Sequence, residues 1–144
     1  MVDCSVLENW EDMTQDERVD AIMEVINDAL EAWGFDPVNH NETRDDSGDG
    51  TLGPPLGEYD PESDGVWFDS DFVDQANAED AFATALHEAI HAAEDQVGFS
   101  IDHSQVYFLG SALAQQLFEG CQSSADSIPL NTPNYPFQSF PELP

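Results

Sequence analysis

The sequence contains no lysine and only two arginines, Arg18 and Arg44, among its 144 residues. Against those two cations stand 31 aspartates and glutamates, a formal net charge of −29. Such a chain repels DNA, RNA and anionic membranes, so neither a nucleic acid nor a membrane is expected as a partner. Cysteine is scarce as well. Cys4 and Cys121 fall in no spacing motif and read as free thiols or one optional disulfide. No apolar run approaches the roughly 20 residues of a membrane span. The first residues lack the basic and apolar regions of a secretory signal. The expectation is a soluble protein that is intracellular, in a high-salt cytoplasm, or associated with a virion.

The acids are spread along most of the chain, and 10% of residues are aromatic. An acidic disordered tail instead concentrates its charge in blocks and lacks aromatics. The absence of lysine beside a retained apolar core fits adaptation to molar salt. There the Debye length falls to about 3 Å and self-repulsion is screened. The composition resembles that of proteins from salt-accumulating halophiles. It bears on where the protein works, not on what it does. The length suits one domain with a real core. The expected division is a domain over residues 1–120 and an extended tail over 121–144.

Thr14 and Glu17 form a capping box. Val19, Ile22, Ile26, Ala29, Leu30 and Trp33 follow at helical spacing, and Gly34 ends that helix. Residues 39–56 are polar and read as the weakest-structured stretch. Within them Asp45, Asp46 and Asp49 imitate the start of a calcium loop, but its twelfth position is Leu56 rather than glutamate. A solvated loop is expected. Leu56–Asp60 and Gly65–Asp69 read as two short strands around a turn at 61–64. Asn77 can cap a helix that stops near Gly98, and Asp102 can cap another over about 103–119, closed by Gly120. The tail carries Pro129, Pro133, Pro136, Pro141 and Pro144 with Tyr135, Phe137 and Phe140, so it either wraps the domain or docks on a partner.

The most informative stretch is Leu86-His87-Glu88-Ala89-Ile90-His91, a His-Glu-x-x-His inside an apolar, alanine-rich helix. Two histidines four apart lie on one helix face about one turn apart and can bind one metal ion together. Glu88 projects beside them and can act as general base toward a water. A buried histidine pair with a buried carboxylate is costly unless something compensates, and a zinc ion would. A catalytic zinc needs a third ligand and an open fourth position. A third histidine six residues after His91 is absent, since Val97 stands there. Residues 111–116 hold no acid that could serve instead. His103 is the best candidate, twelve residues after His91 and in the first turn of the next helix. Glu94 and Asp95 are fallback ligands or groups that orient an imidazole. His40 reads as surface.

The segments Leu86–Ala92 and Asp102–Val106, with the strand pair before them, resemble small phage-encoded zincin-like metallopeptidases. The resemblance covers roughly residues 53–119, and only the His-Glu-x-x-His is specific. Those proteins typically carry an acid where this chain has His103. The resemblance implies an α+β fold in minimal form: an N-terminal helix, a small sheet, the motif helix and a ligand-bearing helix. It also implies a zinc-dependent hydrolase of peptide bonds. The expected site is zinc on His87, His91 and His103, with Glu88 as base. Tyr107, one turn after His103, either supports the oxyanion or is a plain core tyrosine. The strand Gly65–Asp69, taken as an edge, could hold an extended peptide or protein substrate by strand addition. The rival is a catalytically silent virion or assembly component with a structural metal and a docking tail. A third reading is an acidic nucleic-acid mimic.

Overall fold

In the computed structural model, residues 2–44, 57–60, 62–98, 101–122 and 127–128 are described. The elements run β1 (Val2–Asp3), α1 (Ser5–Asn9), a 3₁₀ turn (Trp10–Asp12), α2 (Gln15–Ala32), β2 (Asn39–Arg44), β3 (Gly57–Asp60), β4 (Gly65–Asp69), α3 (Ser70–Gln75), α4 (Ala78–Val97), α5 (His103–Gln122) and β5 (Ser127–Ile128). The architecture is mixed α+β, mostly helical, with a small three-stranded sheet.

The helix boundaries follow local chemistry. The Thr14 hydroxyl accepts from Glu17 N and the Glu17 carboxylate from Thr14 N, closing the expected capping box. Asn77 caps α4 through Asp80 N, and Gly98 ends it in the left-handed conformation at φ 76°. Asp102 Oδ1 accepts from Ser104 N at the start of α5. That helix does not stop at Gly120 but runs on to Gln122. The two extra residues include Cys121, which forms a disulfide with Cys4.

The sheet order is β2-β4-β3. This corrects two sequence expectations. Residues 39–44 are not loop but a strand parallel to β4. Gly65–Asp69 is not an edge strand: β4 is central, flanked by β2 and by antiparallel β3, and all five of its residues are buried. It therefore has no open edge for an added strand. The calcium-like segment 45–50 lies outside the described residues. So does most of the expected tail, although Cys121 and Gln122 belong to α5 and β5 pairs with β1.

Helix α4 is the centre of the molecule. It packs against α2, α5 and β3, and its Ala81, Phe82, Ala85, Leu86, Ala89, Ile90, Ala92 and Ala93 are buried. Its many alanines let the neighbouring helices approach closely. Arg18 is also buried. Its guanidinium donates to the carbonyls of Trp10, Val73 and Asp74 and lies 4.8 Å from the Trp10 ring centre. One of only two cations is thus spent holding α2 to α3.

Candidate metal centre

Three elements of local order bring the histidines together. The α4 helix sets His87 and His91 one turn apart. Helix α5 packs back against α4 and carries His103 in its first turn. His87 Nε2 lies 3.0 Å from His91 Nε2 and 3.0 Å from His103 Nε2. One ring nitrogen from each of the three residues falls within 4.8 Å of the others, close enough to bind a single metal ion. With Zn–N bonds of about 2.0 Å, a tetrahedral centre separates its nitrogens by roughly 3.3 Å, so two of the spacings are near those of a coordinated set.

Proton bookkeeping also suits a cation. The carboxylate of buried Glu94 lies 2.7 Å from His91 Nδ1. That contact places the neutral ring's proton on Nδ1 and leaves Nε2 as a lone pair facing the cluster. One proton bridges two such nitrogens well; a metal ion accepts all three lone pairs. Burial first, and then the charges of His91 and His103, push the His87 imidazole down to about 4. His87 therefore stays neutral, the form that ligates, well below ordinary histidine titration.

Glu94 does a second job. Its other oxygen accepts from Ile101 N at 2.6 Å, tying α4 to the residues that lead into His103. Asp95, the other fallback ligand, is directed elsewhere and accepts from the Tyr59 hydroxyl. Burial, and then hydrogen bonds to Asp95 and Asp64, raise the Tyr59 phenol pKa.

Glu88 is buried beside the histidines. Its Oε2 accepts from Tyr59 N at 2.8 Å, and its Oε1 lies 3.9 Å from His87 Nε2. The amide comes from β3, whose other side pairs with β4, so an outer-edge N–H of the sheet orients the carboxylate. Nothing in the local pattern around Tyr59 signals this contact.

Tyr107 is not a core residue, being 63% exposed. Its ring stacks on His103 at 4.9 Å and lies 4.4 Å from the His87 ring. His87 Nδ1 is buried with no hydrogen-bond partner among the described residues, so packing rather than a hydrogen bond holds that side of the ring. Gly110 makes the packing possible. A Cβ there would stand 3.1 Å from Ala83 O, 3.1 Å from His87 N and 3.3 Å from His87 Cα. A glycine inside a helical pattern is the signal that could have found this approach. His40 lies away from the cluster, exposed on β2, with its ring stacked on Phe68.

Comparison with known protein families, curated proteins and solved structures gives no match.

Proposed function

We propose that this protein is a zinc-dependent hydrolase of peptide bonds, a zincin-like metallopeptidase in minimal form. The observation that carries the reading is the convergence of His87, His91 and His103 beside an anchored, buried Glu88. Three neutral nitrogen donors suit zinc and leave a fourth position open. Zinc, when bound, would polarise a carbonyl and make a water acidic near neutral pH. Every other task falls to the chain. The Tyr59 amide fixes one Glu88 oxygen and so aims the other toward the histidines. Glu88 Oε1 accepts the proton of the attacking water and returns it to the leaving amine nitrogen. Glu94 holds His91 in the ligating tautomer. Tyr107, exposed and with its ring against two of the histidines, would donate its hydroxyl proton to a developing oxyanion.

Two substitutions separate site from mechanism. His103→Ala removes one of three ligands and is expected to weaken zinc binding strongly in a competition with a chelator. Glu88→Gln keeps the zinc and loses hydrolysis of a mixed peptide library, because the amide cannot accept the proton. Elemental analysis that finds no transition metal in protein prepared with zinc would sink the metal reading. Zinc-loaded protein that cleaves no peptide in molar salt would favour a structural metal in an assembly component.

A further inference from the structure

Tyr59 meets the motif helix twice. Its amide donates to Glu88 Oε2 at 2.8 Å, and its hydroxyl lies 3.0 Å from Asp95 Oδ2. Glu88 and Asp95 are seven apart on α4, two turns or about 10.5 Å along one face. One residue of β3 thus spans two turns of the helix, with its backbone at one end and its side chain at the other. The hydroxyl also lies 3.1 Å from Asp64 Oδ1, in the turn between β3 and β4. Asp64 is left-handed at φ 50°, and its carbonyl accepts from Asn39 N at the start of β2. The phenol therefore stands where the motif helix, the hairpin turn and, through Asp64, β2 come together.

Pairing with β4 fixes β3 within the sheet, but not the height of the sheet above α4. The Tyr59 side chain, 7% exposed and part of the core, spans that gap. A carboxylate can pivot about a single N–H, so Glu88 is aimed only as well as that amide is held. A drift of β3 by about 0.5 Å takes the 2.8 Å bond past the usual limit of about 3.2 Å. Burial, and then the neighbouring carboxylates, keep the phenol protonated and hence a donor. It has one proton for two acceptors. Its loss leaves Asp64 and Asp95 with no donor between them, which loosens the turn of the hairpin from α4.

We propose that Tyr59 is a positioning residue for hydrolysis: its phenol, held by Asp95, sets the height of β3 and so aims Glu88. This deepens the hydrolase reading above and rests on it for the chemistry that the aimed carboxylate performs. A misplacement of this size near a reacting centre corresponds to a loss of about tenfold or more in rate.

Tyr59→Phe removes the hydroxyl and keeps the ring and the amide. In the zinc-free full chain in molar KCl, hydrogen exchange read by nuclear magnetic resonance should show the amide at position 59 exchanging about tenfold faster, with the amides of β4 unchanged. Zinc affinity by chelator competition should not move, because no ligand is touched. On the best-cut peptide of a mixed library, kcat should fall about tenfold with KM unchanged. Asp95→Asn keeps an oxygen that accepts from the phenol and should keep most of the activity. Asp95→Leu should lose as much as Tyr59→Phe, and the two together no more than either alone. Unchanged exchange at position 59 overturns the positioning role, because the amide is then held without the phenol. Faster exchange across β4 as well also overturns it, because the phenol then only stabilises the fold. So does a fall in kcat that Asp95→Leu does not share. If the zinc-loaded parent cuts no peptide, the hydrolase reading falls and the catalytic purpose with it, while the exchange result still decides whether the phenol holds the amide.

Discussion

Replacing Gly110 by alanine sets two magnitudes of opposite sign against each other. In an ordinary helix interior the change stabilises by about 1 kcal/mol, because alanine has the better helix propensity. Here the new Cβ meets backbone, at 3.1 Å from Ala83 O and His87 N. Backbone cannot swing aside as a side-chain tip can. Ordinary contact begins near 3.4 Å, so α5 must retreat from α4 by about 0.3 Å, the difference between 3.4 and 3.1. Overpacking of this kind costs about 1–3 kcal/mol. The net expectation is a loss of about 1 kcal/mol in urea denaturation of the zinc-free protein.

The larger effect is on the metal. His103 lies seven residues before Gly110, two turns along the same helix, and moves with it. Metal–ligand distances tolerate only about 0.2 Å. A displacement of about 0.3 Å should therefore weaken zinc about tenfold, measured by chelator competition. Gly110→Val should be worse on both counts. Ser111→Ala, one position on and exposed, is the control and should leave zinc affinity unchanged. A Gly110→Ala protein that is more stable than the parent and binds zinc as tightly would refute the claim that this glycine sets the helix spacing.

Reducing the Cys4–Cys121 bond, or replacing both cysteines by serine, releases a loop spanning a sequence separation of 117; chain-entropy reasoning gives a loss of up to about 5 kcal/mol, and a denaturation midpoint that does not move with reductant would contradict it. In zinc-free protein, His87 titrates near 4 when folded and near 6.5 when not. The unfolded chain therefore takes the proton first, so this contribution is complete above pH 6.5 and is lost as pH falls toward 4. The expected loss is on the order of 2–3 kcal/mol, and His87→Gln should flatten the slope of stability against pH. Dialysis from molar KCl to dilute buffer should unfold the protein by circular dichroism, because 31 acids then repel unscreened; retention of full structure there would contradict salt adaptation.

What was legible in the sequence is what local chemistry decides. The caps at Thr14, Asn77 and Asp102 and the stop at Gly98 each depend on residues a few positions apart, and each is where the pattern put it. The His87–His91 pair is legible for the same reason. Strand β2 was not, because Asn-His-Asn-Glu-Thr-Arg shows no alternation and becomes a strand only through pairing with β4. The central place of β4 was hidden likewise: a hairpin does not reveal what lies on its far side. Helix α5 outran Gly120 by two residues, the first of which is Cys121, bonded to the distant Cys4. The Tyr59–Glu88 contact joins residues 29 apart and leaves no trace in spacing.

That last contrast has a consequence for the order in which the molecule assembles. The contacts among the histidines span 4 and 16 residues, and Glu94 reaches His91 and Ile101 across 3 and 7. Loops that short close in well under a microsecond, whereas the sheet must first join β2 to β4 across the intervening chain. A helical hairpin of α4 and α5 can therefore capture its metal while the rest is still loose. The orientation of Glu88 waits for β3 to arrive. On the hydrolase reading proposed above, metal capture would come early on the folding route and competence last, so a half-folded chain holding its metal would have no aimed base with which to cut its neighbours.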